Sequence, residues 1–420
     1  MSGLVKDNIF GSSGLVVEAA GGLSWQPVVT ASTVTVSAAK GYFINTTSNA
    51  CTITLPSSAE AGDQIILVDY ARTWGTNAIT IDSNGLNFQS SDDTYIVDYD
   101  TAGQSLNLVY SGATVGWTPS SDIANALEPS PPVTQKGIFA YGTTGSVVSM
   151  SNLVSSSGVI ASDVTGVGTA RRLPAAASYG FDKAIFGFGD SNPTTPVSMT
   201  NLVSNSGVIA TDVTGVGTAR YGLAASSYGT DKAIFGYGNS GSVTNLSNLV
   251  NNSGVVAADV SGVGTSRDQL AAAGYSTDKG IFGYGSNSGG TKVSLTNLVS
   301  NSGVISADVT GVGTIRRLPA AAKYGSDKAI FGYGLGGSAI SITNLVSNEG
   351  VVSSDVSGVG TARYGLSATN YGGDKAIFAY GYNNQSMSNL VSNSGVVAAD
   401  VTGVGTGRYY PAAAGYSNTA

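Results

Sequence analysis

The sequence predicts an all-β protein: a small N-terminal β-sandwich or barrel domain, then a six-bladed β-propeller closed by its C-terminal strand. Three observations carry that expectation. The composition is turn-rich and poor in charge, with 58 Gly among 420 residues and only 11% charged, which suits strands and turns rather than helices. One unit recurs six times between residues 136 and 420. Each unit breaks into four short strand candidates bounded by Gly, Ser, Asn and Asp, and four antiparallel strands repeated in a ring make a propeller.

Residues 1–30 are rich in Gly and Ser, with isolated apolar anchors at Ile9, Phe10, Leu15 and Trp25, and read as an arm that orders on a partner. Residues 31–118 alternate apolar and polar side chains in "STVTVS", "CTITL", "QIILVDY", "AITID", "YIVDY" and "LNLVY", the pattern of half-buried strands in a sandwich or barrel. Residues 119–135 form a linker, semi-rigid around the pair Pro131 and Pro132.

The repeat is anchored by a Lys at residues 136, 183, 232, 279, 328 and 375, each opening an Ile-Phe strand such as "KAIFGYG". An [ST]-N-L-V element, an S-G-V turn, D-V-[ST]-G-V-G-T-x-R and an Ala-rich strand ending in Tyr follow. From the Asn of N-L-V to the next Lys is 31 residues in each copy, and 31 beyond Asn389 is residue 420. A Lys belonging there already stands at 136. The array therefore reads as a ring in which residues 409–418 supply the inner strand of the first unit. The Ala-rich strand is expected innermost, where space is least, with the Ile-Phe and Leu-Val pairs filling the gaps between units.

Two segments vary among the copies. From the Gly ending the aromatic strand to the Asn, the spacing runs 10, 12, 10, 12, 10 and 8. Even steps lengthen a hairpin without turning its side chains over. The residues after the Arg also vary, as "RRLP", "RYGL", "RDQL", "RRLP", "RYGL" and "RYYP". In an up-and-down unit both segments emerge on one face, as a binding surface on a rigid scaffold would. The candidate residues are Arg172, Tyr221, Asp268, Arg317, Tyr364 and Tyr409, with the hairpins around Asn192, Asn287, Lys292 and Asn383.

Several chemistries are excluded or disfavoured. The chain has no His, which removes His-metal and His-base chemistry; no metal or cofactor is expected. The net charge of -7 without a Lys/Arg run argues against nucleic acid. The Gly-rich D-V-[ST]-G-V-G-T-x-R element has no following helix and no Walker Lys, so it reads as structural, its Asp capping the turn and its Arg pairing across a unit boundary. Asp190, Asp268 and Glu349 are the carboxylates outside the repeated positions, and they are not expected to meet as a hydrolytic pair. With Cys51 alone and no apolar run of signal-peptide or membrane-span length, assembly in a reducing cytoplasm is expected.

Residues 136–420 resemble the kelch family of propellers, with Gly-Tyr-Gly in place of the kelch Gly-Gly and no Trp in the repeat, since Trp25, Trp74 and Trp117 all precede it. The run from "GYFINTTSNACTITLPSSAEAGDQIILVDYARTW" to "LNLVYSGATVGWT" is similar to a small β-domain of tailed-phage fibre proteins. "DKAIFGYG…TNLVSNSGVVAADVTGVGTAR" resembles repeats of virion structural proteins in marine phages, notably those of cyanobacteria. The resemblance implies a virion fibre, commonly a homotrimer, attached to other virion proteins through its N-terminal region and facing the host distally. Three functions follow as expectations: a tail fibre binding a host-surface glycan or protein, a head fibre or decoration protein, and, less favoured, an enzyme acting on surface polysaccharide.

Overall fold

The computed structural model describes residues 23–91, 97–121, 134–192 and 195–419. Ile9, Phe10 and Leu15 of the expected arm and most of the expected linker lie outside them. The described residues form strands and turns with no helix, and the chain divides into two compact units that part at residue 130.

The first unit has nine strands: β1 (Ser24–Trp25), β2 (Thr33–Thr35), β3 (Lys40–Ile44), β4 (Cys51–Thr54), β5 (Gln64–Asp69), β6 (Ile79–Asp82), β7 (Val97–Tyr99), β8 (Ser105–Tyr110) and β9 (Trp117–Pro119). They make two sheets, ordered β1-β3-β5-β8-β9 and β2-β4-β6-β7, which close on one core containing Ile44, Ile53, Leu67, Trp74 and Trp117. The first six strands alternate between the sheets, so each return lays a parallel neighbour: β1 beside β3, β3 beside β5, β2 beside β4 and β4 beside β6. Residues 24–29, expected in the arm, belong to this unit instead. Trp25 pairs with Gly41 and stacks on Phe43 at 4.6 Å, and Val29 bridges Ile44.

The second unit contains six antiparallel three-stranded sheets. In chain order of their central strands they comprise Ser151–Val154, Lys136–Ala140 and Ala412–Tyr416; Ala175–Tyr179, Lys183–Gly187 and Thr200–Val203; Ala224–Tyr228, Lys232–Gly236 and Ser247–Val250; Ala271–Tyr275, Lys279–Gly283 and Thr296–Val299; Ala320–Tyr324, Lys328–Leu335 and Ala339–Val346; and Ser367–Tyr371, Lys375–Gly381 and Gln385–Val391. The expected closure is present: Lys136 pairs with Tyr416, Ile138 with Ala414 and Ala140 with Ala412. Each Ala-rich strand packs against those of the neighbouring sheets, and the sixth against the first, so the array is a closed circle. The expected fourth strand is not continuous. In each sheet the outer segment touches its neighbour at two isolated bridges, such as Val203 to Ile209 and Thr200 to Val213.

The repeated residues explain the closure. The Ile of each sheet packs with the Phe of the next, Ile185 with Phe235 for example, and the last pair, Ile377 with Phe139, joins sixth sheet to first. Gly187 leaves room for that ring: a Cβ there would lie 2.8 Å from Phe235 Cζ. The aromatic between the glycines, Tyr237 for instance, sits at a left-handed φ of 64° with its ring edge-on to Phe282 at 5.2 Å. At the outer boundary Thr169 Oγ1 donates to Asp212 of the next sheet at 2.6 Å, and the same bond is made at all six boundaries at 2.6–2.7 Å, ending with Thr406 to Asp163. Arg171, fully buried, stacks over Tyr141 at 4.0 Å and donates to Asn201 Oδ1 at 2.6 Å, while Asn201 donates to Asp212 at 2.9 Å. The Arg therefore crosses the sheet boundary, as the motif suggested, but the Asp caps the Gly-Thr turn of the preceding copy rather than the turn of its own element.

Candidate binding face

The two variable segments of each sheet are hydrogen-bonded to one another at one end of the circle. Arg172 bridges Asp190, Tyr221 bridges Asn239, Arg317 bridges Leu335 and Tyr409 bridges Thr143, Asp268 pairs with Ser286, and Tyr382 N donates to Tyr364 O at 2.8 Å. The next residue inward in each copy is left-handed: Leu173, Gly222, Gln269, Leu318, Gly365 and Tyr410, with φ between 52° and 64°. These six residues form an unbroken backbone ring. Leu173 N donates to Tyr410 O, Gly222 N to Leu173 O, Gln269 N to Gly222 O, Leu318 N to Gln269 O, Gly365 N to Leu318 O and Tyr410 N to Gly365 O, at 2.7–3.1 Å. Peptide groups thus gird the variable end and fix the positions from which the variable side chains project.

The candidate residues fall into three groups. In the first, Arg172 Nε and Nη2 grip Asp190 Oδ2 at 3.2 and 3.1 Å, Asp190 being 1% exposed. Tyr221 lies within electrostatic reach of Asp190, Asp268 and Arg172, and burial with the two carboxylates raises its pKa despite the Arg. Asp268, also buried, accepts only long bonds of 3.5 Å from Asn239 and Gln269, and burial pushes its carboxyl up.

The second group is aromatic. Tyr364 stacks on Tyr382 at 4.6 Å with planes 16° apart, Tyr382 meets Tyr409 edge-on at 5.4 Å, and Tyr409 meets Tyr410 at 4.8 Å. Burial first, then the neighbouring Tyr382, pushes Tyr364 up to about 12, so this phenol is a neutral donor and acceptor at ordinary pH. Tyr382 and Tyr410 were not among the expected residues. The signal for both was present, since "YGY" and "RYY" each add an aromatic at a variable position.

The third group makes local turns. The Asn192 carbonyl accepts from Thr195 N, Asn287 Oδ1 accepts from the Gly289 and Thr291 N–H groups, Lys292 bridges Ser286, and Asn383 sits at φ 66° in a hairpin tip. None of these contacts joins them to the tyrosines.

Below the ring, the axis of the circle is lined by Ala176, Ala225, Ala272, Ala321, Ala368 and Ala413. Toward the other end it opens into a cavity of about 130 Å³ lined by Ser178, Ser227, Gly274, Lys323, Asn370 and Gly415. Among the described residues no three His, Cys, Asp or Glu side chains gather where they could hold a metal ion.

No family model and no curated protein matches the chain. Among solved structures it is similar to one titled "Structure of YjhT", at 12% identity and a TM-score of 0.47, over 59% of this chain and 88% of that one.

Proposed function

We propose that the six-sheet unit is a six-bladed propeller of the kelch-like kind, and that the chain is a virion fibre protein whose variable end binds a glycan of the host surface. The closed circle of like sheets supports the propeller. The tyrosine cluster supports the binding: Tyr364, Tyr382, Tyr409 and Tyr410 come from two adjacent copies and both variable segments, and stand on a hydrogen-bonded ring. Tyr rings offer flat apolar faces for sugar rings together with hydroxyls, and rigid aromatics lose little entropy on binding. Each site is weak in this reading, and adhesion rests on several fibres engaging together.

A specific observation favours the second reading, a head fibre or decoration protein. Val159, Val208, Val255, Val304, Val351 and Val396, one per sheet, are each more than 60% exposed, a repeated apolar fringe suited to packing in a particle. A polysaccharide-degrading enzyme is less favoured, because Asp190 is already engaged by Arg172.

Two measurements test these readings. The purified chain is applied to an array of bacterial surface polysaccharides beside two variants: the triple Tyr364→Ala, Tyr382→Ala, Tyr409→Ala, and a control with Ser157→Ala, Ser206→Ala and Ser302→Ala in the constant turns. The expected result is binding by the parent and the control and at least a tenfold loss in the Tyr variant. No binding by the parent, or equal binding by the Tyr variant, overturns the glycan reading. An antibody to the second unit is expected to label fibre ends on the particle; labelling of the head surface selects the second reading.

A further inference from the structure

The sequence "RRLP" occurs twice on the variable end, at Arg171–Pro174 and Arg316–Pro319, and the two copies differ in one respect. Both first arginines are fully buried and reach the Asn of the next sheet, Arg171 to Asn201 and Arg316 to Asn344. Both second arginines pair their backbone with the adjoining hairpin. For Arg172 the hairpin partner is Asp190, which takes two guanidinium bonds. For Arg317 it is Leu335, which offers no acceptor beyond its backbone.

Among the described residues Arg317 is in no ion pair, and its Nε is buried without a hydrogen-bond partner. Burying such a donor unpaired destabilises the fold unless something else accepts from it. The carboxylate that feels its charge is Asp268, one sheet back, occupied by Asn239 and Gln269. On the other side Arg317 acts electrostatically on Tyr364 and Tyr410, so the unneutralised guanidinium lies beside the aromatic cluster.

We propose that Arg317 receives an anionic substituent, a carboxylate or a phosphate, carried by the polymer whose sugar ring lies on Tyr364 and Tyr382. This rests on the glycan-binding reading of the variable end and adds the ligand's charge to it. A guanidinium presents parallel N–H donors matched to two oxygens of either group. The Arg172 copy shows the same side chain with that position already filled from within, so only one of the two is open to a ligand.

The experiment uses the internal copy as its guide. Leu335→Asp places a carboxylate where Asp190 stands in the other copy; Arg317→Ala and Arg317→Lys accompany it, each checked for an unchanged melting profile. Affinities are measured for a galacturonate tetramer, its carboxyl-reduced neutral counterpart, and a galactose tetramer bearing one phosphate. The parent is expected to prefer at least one charged oligomer over the neutral one by about tenfold, the better charged arm identifying carboxylate or phosphate. Leu335→Asp and Arg317→Ala should bring that preference close to unity by lowering affinity for the charged oligomers, and Arg317→Lys should keep part of it. A preference that survives both, or a parent that binds charged and neutral oligomers alike, overturns the proposal. In the latter case, loss of all binding in the Tyr variant leaves the glycan reading standing; failure of the parent to bind any oligomer counts against both.

Discussion

The two ends of the six-sheet circle are closed by the same device made from different residues. At the turn end Gly180 N donates to Asp231 O, Gly229 to Asp278, Ser276 to Asp327, Gly325 to Asp374, Gly372 to Gln135 and Ser417 to Asp182. Its donors are Gly or Ser. At the variable end the donors are Leu, Gly, Gln, Leu, Gly and Tyr, and all six are left-handed. A left-handed backbone costs a residue with a Cβ about 1–2 kcal/mol relative to its usual conformation, so Leu173, Gln269, Leu318 and Tyr410 carry a cost that Gly would avoid. The turn end is left-handed at its six donors as well, but places Gly at four of them and the small Ser at the other two. The variable end departs further from local preference while holding the backbone constant, as the proposed binding role of its side chains would require.

The largest effect expected is from breaking both rings at once. Removing residues 409–420 deletes the strand Ala412–Tyr416 and with it Tyr410 and Ser417, one member of each ring. The strand Lys136–Ala140 is then left with an unpaired edge, and the Ala-rich strands of the second and sixth sheets lose the neighbour they pack against. The truncated chain should aggregate or lose its cooperative thermal transition; a melting temperature equal to the parent's would refute the closed circle.

A single boundary can be weakened instead. Asp212→Ala removes the acceptor for Thr169 Oγ1, Thr169 N and Asn201 Nδ2 and the counter-charge 4.0 Å from buried Arg171. The expected loss is about 2 kcal/mol, read from the denaturant midpoint, against less than about 0.5 kcal/mol for Ser206→Ala at the turn end. Acid reaches all six boundaries together. Burial alone would raise Asp163, Asp212, Asp259, Asp308, Asp355 and Asp400, but bonds from Thr, Asn and a backbone N–H, with the buried Arg, outweigh it and hold each below the ordinary carboxylate range. A carboxyl lowered on folding stabilises above its unfolded value, about 3.9, and that stabilisation is lost as pH falls through the folded value. Melting temperature should accordingly hold down to about pH 4 and drop steeply below it; a flat profile through that range would show that these carboxylates do not secure the boundaries.

Much of this was legible in the sequence because it depends on spacing. The 31-residue constant segment and the even hairpin steps determine register, closure and the common end of the variable loops, and the structure pairs Lys136 with Tyr416 accordingly. What was not legible depends on partners. Alternation in "CTITL" and "QIILVDY" is the same for parallel and antiparallel neighbours, so the alternating course of the first unit could not be read from it. The outer segment around Ile209 and Val213 looks like a strand but forms two isolated bridges to its neighbour instead of a continuous ladder. No propensity announces that Leu173, Gln269 or Tyr410 will be left-handed. The stack of Tyr382 on Tyr364 and the contrast of Arg172 with Arg317 follow from which hairpin residue each one faces.

The smallest effect expected lies on the axis, where one of six equivalent positions is charged. The inner strands present Ser178, Ser227, Gly274, Lys323, Asn370 and Gly415 to the lower cavity, and only one of these is charged. Gly274 lies beside it, and a Cβ there would meet Lys323 Cδ at ordinary van der Waals distance, 3.9 Å, while crowding Ser227 Oγ at 2.8 Å. Burial pushes the Lys323 ammonium below its ordinary value, with Asp327 and Asp278 opposing. For a cation the sign is the reverse of the aspartates: the folded chain holds this proton less tightly than the unfolded one, so the protonated form destabilises the fold. That cost is fully present at neutral pH, shrinks as pH rises through the lowered folded value, and is gone above the unfolded value of about 10.4. Lys323→Ser, which copies Ser178 and Ser227, should therefore raise the melting temperature by no more than a few degrees at pH 7. The gain should narrow toward zero near pH 11, where the tyrosines and other lysines titrate equally in both proteins and cancel in the difference. A gain independent of pH would assign the effect to packing rather than to the buried charge, and a loss at pH 7 would mean that the ammonium stabilises the channel.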